Sequence, residues 1–372
     1  MMIEGLATQL AAPAAAATSF WGGFWGHLLL FIIIIFAFLI LGVMAFIYIE
    51  RRVLGRFQIR IGPNRAGPFG IFQPVADVLK ILLKEDIVPN KADKILHILA
   101  PGIAFIPTLM IFAVVPFQNG AVLVDLNIGI LYVTAISSIS VIGLVMAGWS
   151  CDNKYSLIAA MRVIAQVVSY EIPMALAIIG VVLFTGSLSM VSIVEAQTVP
   201  YALLQPLGFG IFLVASLAEI NRTPFDLLEA ESEIVAGFNI EYSGIKFALF
   251  YLTEYSEVLG VSAIISTLFL GGWKGPFLPP VLWFLIKVLA VFLGIIWIRA
   301  TIPRMRIDQV MGFAWKFLLP LAAINLVITG IQALYWPSLS LWILVPINVA
   351  IAAVLIFVWS RFFQLQGGHI EA

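Results

Sequence analysis

Apolar runs of about 20 residues recur along this chain, each long enough to cross the ~30 Å hydrocarbon core of a bilayer as a helix. Within each run the apolar residues are continuous rather than alternating, which is the pattern of membrane helices and not of a β-barrel. Of 372 residues, 62% are hydrophobic and only 11% charged. The expected fold class is an all-α polytopic membrane protein with amphipathic surface helices in its polar loops. Nine spans are predicted, at approximately 26–49, 97–117, 127–149, 163–186, 201–219, 244–270, 279–298, 314–336 and 340–361. They form one membrane domain over 1–372, in which 1–22 is a tail, 50–96 a docking loop, 218–243 an acidic loop, and 340–361 an additional C-terminal span. Residues 1–22 carry Glu4 and no Lys or Arg, so they lack the basic start of a cleaved signal peptide. The last two spans are separated by a few residues around Pro337, which predicts a tight hairpin.

Orientation follows from the basic residues. All but Lys274 and Lys287 of the 20 Lys and Arg fall in the loops after the odd-numbered spans or at the C-terminal end. Those loops are expected inside and the N-terminus outside. No internal repeat divides the spans into matched halves, which argues against an inverted-repeat transporter.

Several chemistries are excluded. Cys151 is alone, so this chain holds no intrachain disulfide and no Cys-ligated iron–sulfur cluster. The three histidines, His27, His97 and His369, sit at unrelated positions, which argues against a haem or zinc site. There is no P-loop or dinucleotide fingerprint, and a formal net charge of +0 gives no reason to expect nucleic acid. A redox centre, if one is involved, belongs to a partner, and no catalytic or metal-binding residue is assigned here.

Ala218–Tyr242 concentrates acidic residues: Glu219, Asp226, Glu229, Glu231, Glu233 and Glu241 are six of the chain's 20. Thr223-Pro224-Phe225-Asp226 has the signature of a helix start, with Gly237 as the stop. On such a helix Asp226, Glu229 and Glu233 share one face, and like charges so close raise a carboxyl pKa toward neutrality. A solvated acidic face is the plainer alternative. Glu171 lies inside the fourth span, Glu254 and Glu257 inside the sixth, and Lys287 inside the seventh. Each costs about 2.5–3.5 kcal/mol at a helix centre. An ion pair of Lys287 with one carboxylate would account for two of the four.

Three inner segments complete the pattern. Glu50–Ile61 places Arg52, Arg56 and Arg60 on one stripe, as in a helix lying on the membrane surface. Gly62–Pro74 is a rigid turn leading to a short amphipathic helix over 75–84, with Val75, Val78, Leu79 and Leu82 on its apolar side. Arg299, Arg304 and Arg306 surround Asp308, a pattern of fixed ion pairs facing a partner or the acidic loop, or of electrostatic anchoring.

Three long segments carry a resemblance: ERRVLGRFQIRIGPNRAGPFGIFQPVADVLK, AEINRTPFDLLEAESEIVAGFNIEYSG and IRATIPRMRIDQVM. Together they resemble the H-subunit family of proton-pumping NADH:quinone oxidoreductase, respiratory complex I, in order and with fitting gaps from Ile47 to about Pro337. The resemblance implies a membrane subunit that frames the quinone entry and docks the peripheral arm. It places Glu50, Arg51, Phe57, Gln58, Arg60, Asp77, Phe225 and Arg299 along or near the quinone chamber. It places Glu171, Glu219, Asp226, Glu229, Glu231, Glu233, Glu241 and Glu254, with neighbouring Glu257, on a hydrated acidic path for protons. Quinone is the implied substrate, and FMN and the iron–sulfur clusters belong to partner subunits, with no cofactor bound by this chain alone. The implied partners are the peripheral subunits carrying the terminal cluster, the small and antiporter-like membrane subunits, and lipid. The implied location is a bacterial inner membrane. Two other readings stay open: the membrane subunit of a related hydrogenase-type complex, and a stand-alone ion transporter.

Overall fold

The computed structural model describes residues 24–120, 122–228, 233, 235, 237–335 and 341–362. The expected tail at 1–22 and the hairpin around Pro337 lie outside them, as do Glu229 and Glu231. Helix α1 is Phe24–Phe57, α2 Gln73–Leu82, α3 Lys94–Ile111, α4 Gly129–Ser150 and α5 Lys154–Thr185. The short α6 (Met190–Ala196) and α7 (Tyr201–Leu204) precede α8, Pro206–Glu219. Then come α9 Gly244–Leu268, α10 Pro280–Thr301 and α11 Ile307–Gly312. A π-helical turn at Phe313–Leu318 carries α11 into α12, Leu319–Tyr335, and α13 is Leu341–Phe362.

Seven described stretches are long and apolar enough to cross a membrane: α3, α4, α5, α9, α10, the α11–α12 run and α13. With α1 and the shorter α8 they coincide with the nine predicted spans. Local chemistry sets several boundaries. Asp93 caps α3 by accepting from the Ile95 and Leu96 amides at 3.1 and 3.4 Å. Asn153 caps α5 through the Tyr155 amide at 3.0 Å, and Gly186 ends it in the left-handed region at φ 66°.

Two predictions about these elements need correction. The basic stretch after the first span is not a separate surface-lying helix: α1 runs unbroken through 34 residues to Phe57. At 1.5 Å per residue that is roughly 51 Å, so its last turns stand beyond the hydrocarbon. Arg60 falls outside the helix and off the expected stripe. The span at 201–219 is interrupted at Gln205 (φ −128°, ψ 66°), because the residue before a proline is driven out of helical geometry.

Burial runs opposite to hydropathy. The central helix α9 has the lowest mean hydropathy of the seven stretches, 1.3, yet is 67% buried, whereas α13 has 2.4 and is 17% buried. A helix surrounded by protein can carry hydroxyls if each is satisfied. Ser256, Ser262 and Ser266 do so by donating to the carbonyls of Leu252, Val258 and Ser262 at 2.6–2.8 Å. The same kind of bond within the helix satisfies Ser360 of the exposed α13, which donates to the Phe357 carbonyl at 2.8 Å. Helices α3 and α4 approach closely because Gly143 faces Ala104: a Cβ there would stand 2.5 Å from the Ala104 amide nitrogen.

Loops collect at two ends. At one, Lys246 pairs with Asp86 at 2.9 Å, Ser243 donates to the Glu85 carbonyl at 3.1 Å, and the Asp93 amide donates to the Ser150 carbonyl. At the other, Lys274 donates to the carbonyls of Glu195 and Gln197 at 2.7 and 2.9 Å. Lys287 reaches up to the same end and donates to the carbonyls of Gly272 and Lys274 at 2.9 and 2.7 Å. Among the described residues it makes no ion pair with a carboxylate, so that possible account of two of the four charges does not apply, and its long stem lets the ammonium leave the hydrocarbon.

Candidate functional site

Four charged side chains from α1, the loop after α8, α9 and α10 meet below the basic end. Glu50, 4% exposed near the end of α1, accepts from Arg222 at 3.3 Å and from Arg299 of α10. Arg222 Nη2 lies 3.2 Å from Glu254 of α9. Its guanidinium carbon sits 4.5 Å from the Tyr255 ring centre, and Tyr251 donates to the Tyr255 hydroxyl at 3.3 Å. Two cations and two carboxylates balance, which is how charge survives at this depth. Phe46 of α1 stacks on Phe292 of α10 at 3.8 Å and holds two of the contributing helices together.

Beside this cluster Arg51 pairs with Asp77, and Gln73 donates to Asp77 at 3.0 Å, so α2 is pinned to the end of α1. Tyr48 donates to the Phe69 carbonyl at 3.0 Å and fastens the intervening turn. The outer side of α2 and its turn remains apolar and exposed, with Phe69 69%, Leu79 55% and Leu83 87% accessible.

Of the residues implied for a quinone chamber, the structure gathers Glu50, Arg299, Arg51 and Asp77. Phe57, Gln58 and Arg60 are exposed beyond the cluster, and Arg60 bonds locally, to Gln58 at 2.6 Å. Phe225 is buried against Tyr170, ring centres 5.2 Å apart.

Two cavities continue inward from Glu254. One is lined by Asn221, Tyr251, Thr253, Glu254 and Glu257 among apolar residues. The other is lined by Glu257, Glu219, Ser137, Ser140 and Thr108 on apolar walls from α3, α4, α5, α8 and α9. Glu257 borders both. On α5, Glu171 accepts a short hydrogen bond from Ser138 of α4. Glu254, Glu257, Glu219 and Glu171 thus occupy neighbouring parts of one bundle.

The acidic loop itself departs from expectation. Residues 222–228 are turns and bends, not a helix starting at Thr223. Carbonyls that a helix would use internally are taken by other elements: Pro224 O accepts from the Met305 amide at 3.0 Å, and Phe225 O from Gln166 at 2.9 Å. Gln166 also donates to Ala218 O and Asn221 Oδ1. Leu227 is 0% exposed and Leu228 7%, so burial is not confined to one helical face. Asp226 is half-buried in this loop, apart from the face predicted for it.

Glu233 also differs. It accepts from Arg162 at 2.6 Å and from Arg304 at 3.0 Å. The Arg162 hydrogen bond, opposed by partial desolvation and aided by the charges of both arginines, holds its carboxyl below the usual carboxylate range rather than raising it. Arg304, expected in an ion-pair network facing a partner or the acidic loop, reaches the acidic loop through Glu233. Glu241 accepts from Asn153 at 2.9 Å and fastens the far end of the loop.

Sequence reasoning missed Arg222 as a site residue, counting it only as a loop cation, and missed the serines of α4. The available signal was a Ser-Ser-Ile-Ser run at 137–140 within an apolar span. Among the described residues no three His, Cys, Asp or Glu side chains are grouped to hold a metal ion.

Residues 30–330 match the family model described as NADH dehydrogenase. A Dehalococcoides mccartyi protein described as the H subunit of NADH-quinone oxidoreductase is 62% identical over 348 residues, 94% of this chain and 99% of that one. Counterparts with the same description from Brevibacillus brevis and Geobacillus kaustophilus are 48% and 49% identical, over 84% and 83% of this chain and 95% and 93% of theirs. The matched segment contains every residue of the charged cluster and both cavities.

Proposed function

Because the chain belongs to the NADH dehydrogenase family and is a membrane subunit of NADH-quinone oxidoreductase, we propose that it walls the quinone chamber and starts the proton path of that enzyme. The observation that carries this reading is Arg222 held between Glu50 and Glu254, one helical turn from Glu257, which borders both cavities. A neutral quinone head reaching this neighbourhood meets a balanced charge set. As electrons arrive from a partner's cluster, negative charge grows on the quinone oxygens. Arg222 and Arg299 are drawn toward it by Coulomb attraction, which weakens their hold on Glu254 and Glu50. A carboxylate so released at the edge of a cavity takes up a proton and passes it through water toward Glu257, Glu219 and Glu171.

Arg51, Asp77 and α2 shape the entrance, with Phe57, Gln58 and Arg60 at its outer rim and Phe225 supporting the wall. Glu233 docks the acidic loop, Asp226 and Glu241 complete the polar margin between chamber and path, and Glu229 and Glu231 are kept as candidates for the path on the family resemblance. Assembly is with other subunits of the enzyme: peripheral subunits with FMN and iron–sulfur clusters at the basic end, and small and antiporter-like membrane subunits along the sides. The location is the bacterial inner membrane, N-terminus outside and C-terminus inside, from the basic loops.

A photoreactive quinone analogue applied to the intact enzyme tests the chamber, and label is expected on residues 50–60, at and just after the end of α1, or on α9. Label confined to other subunits would remove this chain from the chamber. Proton uptake in sealed vesicles tests the path separately.

A further inference from the structure

The void between α8, α12 and α13 holds a polar arrangement that neither the quinone chamber nor the acidic path uses. Its lining includes Gln205, Asn325, Thr329, Gln332 and Asn348, and all five side chains are at least nine-tenths buried. Most of their hydrogen-bonding capacity is spent. Gln205 Nε2 donates to the Gly180 carbonyl at 3.0 Å and to Thr329 Oγ1 at 3.4 Å. Thr329 donates to the Asn325 carbonyl at 2.8 Å. Gln332 and Asn348 form a reciprocal amide pair at 2.5 and 3.2 Å, and Asn348 also donates to the Leu204 carbonyl at 2.7 Å.

Gln205 Oε1 has no partner among the described residues. A buried amide oxygen without a donor is strongly disfavoured, and in folded proteins the commonest remedy is an ordered water. Room for one is supplied by the void, which Gln205 and Asn325 both line. At Gly208 a Cβ would stand 3.2 Å from Asn325 Nδ2 and 3.4 Å from Gln205 Oε1. A methyl there would press on both amides, and the glycine leaves them uncovered on that side. The void is the size of a single water molecule.

We propose that this void is a binding site for one ordered water, which donates to Gln205 Oε1, bonds the Asn325 side-chain amide, and is sealed from lipid by α13. Ile351 and Ala352 of α13 complete the wall, and the Gln332–Asn348 pair holds that helix in place. The family match ends at residue 330, so the lid lies beyond the matched segment while Gln205, Gly208 and Asn325 lie within it. In this reading α13 is the cover of an internal water site as well as a lipid-facing span.

The test is a cryo-EM map of the assembled enzyme in lipid nanodiscs, at a resolution where other buried waters are visible. A peak within hydrogen-bonding distance of both Gln205 Oε1 and the Asn325 amide is expected. An empty gap, or a direct bond between the two amides, overturns the proposal. Gly208→Ala should abolish the peak and lower the melting temperature. Gly210→Ala, where a Cβ has nothing within 4 Å, should change neither. Persistence of the peak in Gly208→Ala would also overturn it, and the wild-type map decides the matter if that variant fails to assemble.

Discussion

Arg222 Nη2 lies 3.2 Å from Glu254 Oε1, an ion pair joining the loop after α8 to the middle of α9. Arg222 is 5% exposed and reaches Glu50 as well, so one guanidinium spans two carboxylates from different helices. The planar fork of arginine allows this, and a lysine ammonium could hold only one of the two at full strength.

Arg222→Leu leaves Glu254 without its cation, and breaking a buried pair in this way costs about 3–5 kcal/mol. Quinone-linked NADH oxidation should fall by an order of magnitude or more in the assembled enzyme, whereas reduction of a hydrophilic artificial acceptor by NADH persists. Arg222→Lys should be intermediate. Full quinone activity in Arg222→Leu would show that the pair does not serve the chamber.

Glu257→Gln keeps the shape and most hydrogen bonds of the side chain but cannot ionise. With Glu257 bordering both cavities, proton uptake into sealed vesicles should drop several-fold while artificial-acceptor activity is unchanged. Glu195→Gln, at the opposite end beside Lys274, is the control and should pump normally.

Glu233 is held below the usual carboxylate range chiefly by the Arg162 hydrogen bond. A lowered folded-state pKa stabilises above the ordinary carboxylate value, ~4.3, and that contribution is lost as pH falls through the lowered value. Glu233→Gln should weaken loop docking at pH 7 by less than about 1 kcal/mol, since the pair is partly exposed. It should also flatten the loss of thermal stability on the acid side. Protons moved per electron should not change. A reduced ratio would return Glu233 to the relay.

Gly143→Val drives a side chain into the Ala104 backbone, where even a Cβ stands 2.5 Å from the amide nitrogen. Overpacking of this kind costs about 1–3 kcal/mol. The melting temperature of the purified enzyme should fall, whereas Gly102→Ala, with nothing within 4 Å, should leave it unchanged. Equal melting temperatures would mean that α3 and α4 are not in tight contact.

The spans, their order and the end at which each loop lies were legible because they depend on properties local to the sequence. Mean hydropathy over some 20 residues and the position of Lys and Arg relative to it need no knowledge of neighbours. The acids of the spans were found for the same reason, since a Glu in an apolar run stands out wherever it faces. Helix α2 was readable from the spacing of Val75, Val78, Leu79 and Leu82.

What the residues do to one another was decided by packing. The helix signature at Thr223 lost to bonds from Gln166 and Met305, which come from α5 and from the loop after α10. Glu233 looked like a carboxylate crowded by like charge until Arg162 and Arg304 were brought against it from distant segments. Arg222 and Glu50 are separated by 172 positions, and no local pattern announces such a pair. Hydropathy is set by transfer of each segment from water to lipid, one segment at a time, so the sequence alone determined which segments enter the membrane. An ion pair depends on the distance between two chemical groups, and only the tertiary structure sets that distance.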